Sequence, residues 1–160
     1  VEQYRGNPFA HLFLGHIYHE AGPVHDLQKS QDHYLACATY AKGLDNQTLA
    51  AQGYMMAAWI AYVRRLPARA IELGKLAIEY DPQGLPEAYY NLGKYHAHLK
   101  HSEEAIAQLD IAIKTFDPLY SLKASLDEDF RNLGSELDQY FEQLKSEEQA
   151  YWDARLSLFD

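Results

Sequence analysis

Three features of this 160-residue sequence predict an all-α protein. Apolar residues recur at spacings of three and four along most of the chain, the period of a helix face and not of a strand. Glycine and proline are few, nine and six, and every proline lies between periodic segments, where it starts or stops a helix. Short turn signals, Leu66-Pro67, Asp81-Pro82 and Asp117-Pro118, divide the pattern at lengths that suit helical hairpins. The chain is long enough to bury a core as one compact domain or a short solenoid.

Bulk charge narrows the partners. A net charge of -9 and a pI near 5.3 argue against nucleic acid or an anionic membrane as the main partner. Beyond Arg64-Arg65 and Arg69 no basic cluster is visible. Cys37 is the only cysteine and sits in the apolar run YLACATYA, so no internal disulfide is possible, which fits a reducing, cytoplasmic compartment. Neither an apolar run of about 18 residues nor a leader-like start occurs, so no membrane span or export signal is expected. The chain opens on Val1 and not on methionine, which suggests a segment of a longer protein.

In order along the chain, residues 1–7 read as a lead-in, and Asn7-Pro8 as a helix start with proline in the first helical position. FAHLFLGHIYHEAG follows, with Leu14-Gly15 and then Tyr18, ending at Gly22-Pro23. The polar stretch HDLQKSQ reads as a loop over about 23–30 before a second helix in DHYLACATYAKGLDN. A second hairpin starts at Asn46 or Gln47. Tyr54, Ala57, Ala58 and Ala61 fall on its first helix and Ala70, Gly74 and Ala77 on its second, with packing left to Trp59, Ile60 and Tyr62. Gly84 fits a left-handed helix end.

Residues 86–118 carry the clearest pattern: Tyr89, the pair Leu92-Gly93, His96, Ala105, Leu109, Ala112 and a closing Asp117-Pro118. Gly93 and Ala105 are small where two helices must cross, so their axes can approach to about 8–10 Å. Lys100-His101-Ser102 form the turn, Ser102 reads as an N-cap, and Glu103 and Glu104 suit the first helical turn.

That stretch resembles one tetratricopeptide (TPR) repeat, whose period is close to 34 residues. Residues 8–46 and 47–82 resemble looser copies, the first departing from the family by its insertion. The resemblance implies a TPR-like α-α superhelix of about three stacked antiparallel hairpins over residues 1–118. It also implies a concave groove lined by the first helix of each hairpin.

After Pro118 the pattern changes. Leu119, Leu122, Leu126, Phe130, Leu133, Leu137, Tyr140, Leu144, Glu147, Tyr151, Ala154 and Leu158 trace roughly five heptads. One long C-terminal helix over 119–160 is expected, with a capping box from Ser125 to Glu128 marking a possible break. Its first part should cover the flank of the third hairpin, as a solenoid end requires. The remainder should overhang as a coiled-coil candidate, and Phe130 to Gly134 mimics a fourth repeat without the turn needed to complete one.

The resemblance places Leu12, His16, His19, Met55, Trp59, Tyr62, Glu87, Tyr90, Lys94 and His98 in the groove. The neighbouring positions are Phe9, Glu20, Gln52, Val63 and Ala97. Such a surface suits an amphipathic or extended peptide held by apolar anchors, although Met55, Trp59 and Tyr62 could equally pack against a neighbouring helix, including the chain's own tail. The family's carboxylate clamp of lysines, asparagines and an arginine is not expected, because Leu12, His16, Met56, Glu87 and Asn91 stand at the matching places and all its cations are absent. His16 and His19, like His98 and His101, are one turn apart, and Glu20 or His25 could complete a zinc set. No metal is expected, because no glutamate sits between the imidazoles as in an HExxH motif. Acidic runs at Asp127-Glu128-Asp129 and Glu147-Glu148 read as wet helix faces, and no catalytic constellation or cofactor motif is present. The sequence thus predicts a non-enzymatic module for a protein or peptide partner, with homodimerisation through the C-terminal heptads as the alternative.

Overall fold

The computed structural model describes residues 5–157. It is all-α, and no strand occurs among the described residues. Three helical hairpins come first: α1 (Pro8–His19) with α2 (Leu27–Gly43), α3 (Gln47–Val63) with α4 (Pro67–Tyr80), and α5 (Pro86–His98) with α6 (Ser102–Ile111). A π-type turn, Ala112–Phe116, ends α6. Then come α7 (Leu119–Leu126), α8 (Glu128–Arg131) and α9 (Ser135–Leu156). Each helix from α1 to α6 packs on the next, and α1, α3 and α5 are neighbours. Pro8, Gln47 and Pro86 open those first helices at equal intervals, wider than the roughly 34 residues of the repeat the sequence resembles.

Local chemistry sets the boundaries. The Asn7 side chain accepts from the amides of Phe9 and Ala10, and Pro8 occupies the first turn. Asn46 caps α3 through the amide of Leu49. Three helices end alike, on a left-handed residue that is not glycine: Asp45 (φ 55), Arg65 (φ 65) and Lys100 (φ 59). In each the following amide bonds back to the carbonyl five residues earlier, as Leu66 does to Ala61 at 2.9 Å, closing a Schellman turn.

Glycines mark the close approaches. A Cβ on Gly53 would lie 2.8 Å from the Ala38 nitrogen, so α2 and α3 meet backbone to backbone. One on Gly93 would lie 3.0 Å from the Ala105 carbonyl oxygen and 3.2 Å from the Phe130 ring, where α5 crosses α6 as expected. Between the hairpins Tyr34, Ile60, Leu73, Leu92 and Tyr95 fill one core, and Cys37 lies in a satellite beside it.

Four expectations need correction. The first-hairpin loop is shorter than 23–30: Asp26 accepts from the Lys29 amide and starts α2 at Leu27, so HDLQKSQ is largely helix. Ser30 is buried inside that helix, its hydroxyl donating to the Gly15 carbonyl at 2.8 Å. Ser102 is not a cap; His101 holds that position and Ser102 is the first helical residue. Gly84 does not adopt a left-handed conformation, and the only glycine with positive φ among the described residues is Gly134.

The fourth correction is the largest. The C-terminal region is three helices, not one. It breaks at Asp127, which is extended and caps α8 by accepting from the Asp129 amide at 3.1 Å, displacing Ser125 from the expected role. It breaks again at Gly134 (φ 60). Both breaks turn side chains inward. Tyr120, Ala124, Phe130, Leu133, Leu137 and Tyr140 join Tyr89, Tyr90, Leu109 and Ile113 in a second core that covers the third hairpin. Beyond Leu144 α9 is exposed, and Leu158 of the apolar seam, like residues 1–4 of the lead-in, lies outside the described residues.

Candidate partner-binding face

Three first helices, α1, α3 and α5, supply the side chains the sequence places in the groove, and the structure divides them into an open and a covered group. On α1, Leu12 is half-buried against the α3 core. His16 is exposed, with Nδ1 3.0 Å from the Tyr34 hydroxyl. His19 is half-buried, and its carbonyl lies 3.1 Å from Nδ1 of His25, which therefore steadies the α1–α2 loop. Phe9 and Phe13, one turn apart, are 63% and 66% exposed. On α3, Met55, Trp59 and Tyr62 are half-buried, with the Trp59 and Tyr62 rings 5.7 Å apart.

On α5 the picture reverses. Tyr90 is only 1% exposed and Ala97 is fully buried, so neither is a surface residue. The cover is the chain's own α7–α8 segment. Tyr90 donates its hydroxyl hydrogen to Asp127 at 3.0 Å. Lys94 reaches Asp127 at 2.9 Å and Asp129 at 3.6 Å. His98 Nδ1 is 2.8 Å from the other Asp129 oxygen, and the Tyr62 hydroxyl donates to Asp129 as well. Lys94 also lies over the rings of Trp59 and Tyr62, 5.7 and 5.6 Å from their centroids. Glu87, the remaining expected groove residue, is exposed and pairs with Lys123 at 3.2 Å.

Electrostatics act on three groups of this knot, Asp129, Tyr62 and Tyr90. Burial pushes the Asp129 carboxyl up, but hydrogen bonds from Tyr62 and His98 and the Lys94 charge outweigh it and hold the group below its ordinary 3.8. Burial, reinforced by the aspartates, pushes the Tyr62 and Tyr90 hydroxyls well up, so both remain donors. Two carboxylates thus share one lysine and three further donors, with the charges largely desolvated. An open recess of about 590 Å³ remains between Tyr62, Lys94, His98 and the acidic segment.

Asp127 and Asp129 do not lie on the wet face that the acidic run Asp127-Glu128-Asp129 predicts; both turn inward as functional residues of the covered end. Glu128 alone is exposed. A helix break at that point puts positions two apart on one side, and the capping-box signal beginning at Ser125 was the available hint. The histidine pairs serve structure: His98 binds Asp129, and His101 Nδ1 is 3.4 Å from His96 Nδ1. Among the described residues no group of three or more His, Cys, Asp or Glu is placed to hold a metal, and no helix is long and apolar enough to cross a membrane. Cys37 is buried, and burial pushes its thiol up to about 11.

The chain matches no protein-family model and no curated protein.

Proposed function

We propose that the chain is a non-enzymatic protein-interaction module of TPR type that holds a peptide or helix of a partner protein along the α1–α3 stretch of its first-helix face. One observation carries this reading: α1 presents Phe9 and Phe13 as aromatic surface the described chain leaves exposed, and its neighbour α3 adds the half-buried Met55 and Trp59. Aromatic anchors on a rigid helical scaffold bind with little ordering cost. The protonated, buried Cys37 thiol behaves as core and not as a nucleophile.

Affinity capture followed by reconstitution with the purified partner tests the reading. A partner bound by wild type and lost by a folded Met55→Ala/Trp59→Ala variant supports it; equal binding to both sinks it.

A second reading rests on α9, whose last turns expose Tyr151, Trp152 and Leu156. These residues could pair two copies of the chain. Light scattering at high micromolar concentration decides this, and a strictly monomeric mass rules it out.

A further inference from the structure

The contacts that close the α5 end have the form of a ligand bound to a site. Asp127 and Asp129, two residues apart, straddle the Lys94 ammonium, and each takes a tyrosine hydroxyl of its own. His98 supplies a further bond to Asp129. Phe130 follows directly and is fully buried, its ring 5.3 Å from that of Tyr90 and set against the bare backbone of Gly93. Recognition therefore lies in two carboxylates and one aromatic, held by residues of α3 and α5.

The rest of the segment holds on weakly. Helix α7 spans eight residues and α8 four, too short to persist without packing. Of α7 only Tyr120 and Ala124 are buried, while Leu119, Leu122 and Leu126 are largely exposed. Lys123 pairs with Glu87 in solvent, where such a bridge adds little, and the firmer contacts of α7 run through Tyr90, whose ring lies 4.1 Å beneath the Lys123 ammonium and stacks on Tyr120 at 5.3 Å. Helix α9 has its own anchorage on α6, where Tyr140 donates to Asp110 at 3.0 Å.

We infer that residues 127–130 are an intramolecular stand-in for a partner, and that the α3–α5 end of the face takes acidic-aromatic segments of the form Asp-x-Asp-Phe from another protein. This rests on the reading of the first-helix face as a peptide-binding surface and adds the chemistry of the peptide. A partner segment carrying that motif and running on past Trp59 toward α1 gains contacts that the internal segment does not make. That surplus offsets the advantage of the tether, whose effective concentration is on the order of 1 mM.

The test uses the full chain and a fluorescein-labelled peptide of residues 125–134, SLDEDFRNLG. Fluorescence anisotropy is recorded with wild type and with Asp127→Asn/Asp129→Asn, whose internal segment has lost its charges. The expected result is binding at least about tenfold tighter to the variant, because the competent fraction rises, and loss of that binding when both peptide aspartates are asparagine. Equal affinity of wild type and variant, or equal affinity for both peptides, overturns the inference. Should the variant not fold, wild type decides through hydrogen exchange. Free peptide at about 1 mM, matching the tethered segment, is expected to speed exchange in 119–133, and unchanged exchange overturns the inference. The Met55→Ala/Trp59→Ala variant leaves the aspartate-binding residues in place. A failure here with loss of partner binding there would refute the motif and leave the α1–α3 reading standing.

Discussion

The two ends of the first-helix face are made of similar side chains yet differ in their second layer. At the α5 end Tyr90, Lys94 and His98 lie under Asp127, Asp129 and Phe130; at the α1 end Phe9 and Phe13 face solvent. Apolarity does not distinguish them. What differs is that Tyr90, Lys94 and His98 of α5, with Tyr62 of α3, converge on two carboxylates that the chain supplies at the right spacing. A buried ion cluster of this kind is a specific closure more than a source of stability, since desolvation offsets much of the attraction.

Overpacking the covered end should have the largest effect. Gly93→Leu drives side-chain atoms into the Ala105 carbonyl and the Phe130 seat, and thermal melting should show a loss of about 3 kcal/mol. Gly74 is the control. Its nearest neighbour would be the tip of Leu92 at 3.4 Å, so Gly74→Ala should be neutral or gain up to about 1 kcal/mol from helix propensity.

Next comes Asp129→Asn, which leaves the half-buried Lys94 and His98 less well paired and should cost about 2 kcal/mol in denaturant unfolding. Because Asp129 titrates below its ordinary 3.8 when folded, its contribution is complete above that pH and fades as pH falls beneath it. The variant should therefore lose less stability than wild type between about pH 4 and pH 2. An unchanged acid limb would show that the carboxylate is not held as described.

Removing single hydroxyls should give smaller effects of opposite sign. Tyr90→Phe abandons the bond to Asp127 and should cost about 1 kcal/mol. The buried Tyr95 hydroxyl has no partner among the described residues, so Tyr95→Phe should be neutral or stabilising. At high pH the sign is shared by several tyrosines. Burial raises Tyr34 and Tyr120 to about 12, so stability is intact below pH 10 and declines as pH rises through the folded values. At the open end, Phe13→Ser should shift stability by less than about 0.5 kcal/mol; a large loss there would mean that the α1 surface is covered after all.

Much of the fold was legible because it rests on local signals. Asn7-Pro8, Leu66-Pro67 and the Gly93–Ala105 crossing stand where the sequence puts them, since proline, caps and small residues act within a turn of themselves. The left-handed ends at Asp45, Arg65 and Lys100 were invisible because their geometry comes from Schellman hydrogen bonds that no glycine advertises. The covered half of the face was illegible for a different reason. Tyr90 bonds Asp127 across 37 residues, and no periodicity in either segment records that meeting. Heptad spacing alone favours a continuous helix through Asp127, and tertiary hydrogen bonding overrides it.

Hydrogen exchange of the wild type beside Asp127→Asn/Asp129→Asn probes the division of the face most directly. Protection should fall in 119–133 and along Tyr90 to His98 while α1 to α4 keep theirs. Protection retained throughout, or lost evenly over the whole chain, would contradict a local closure held by the two aspartates.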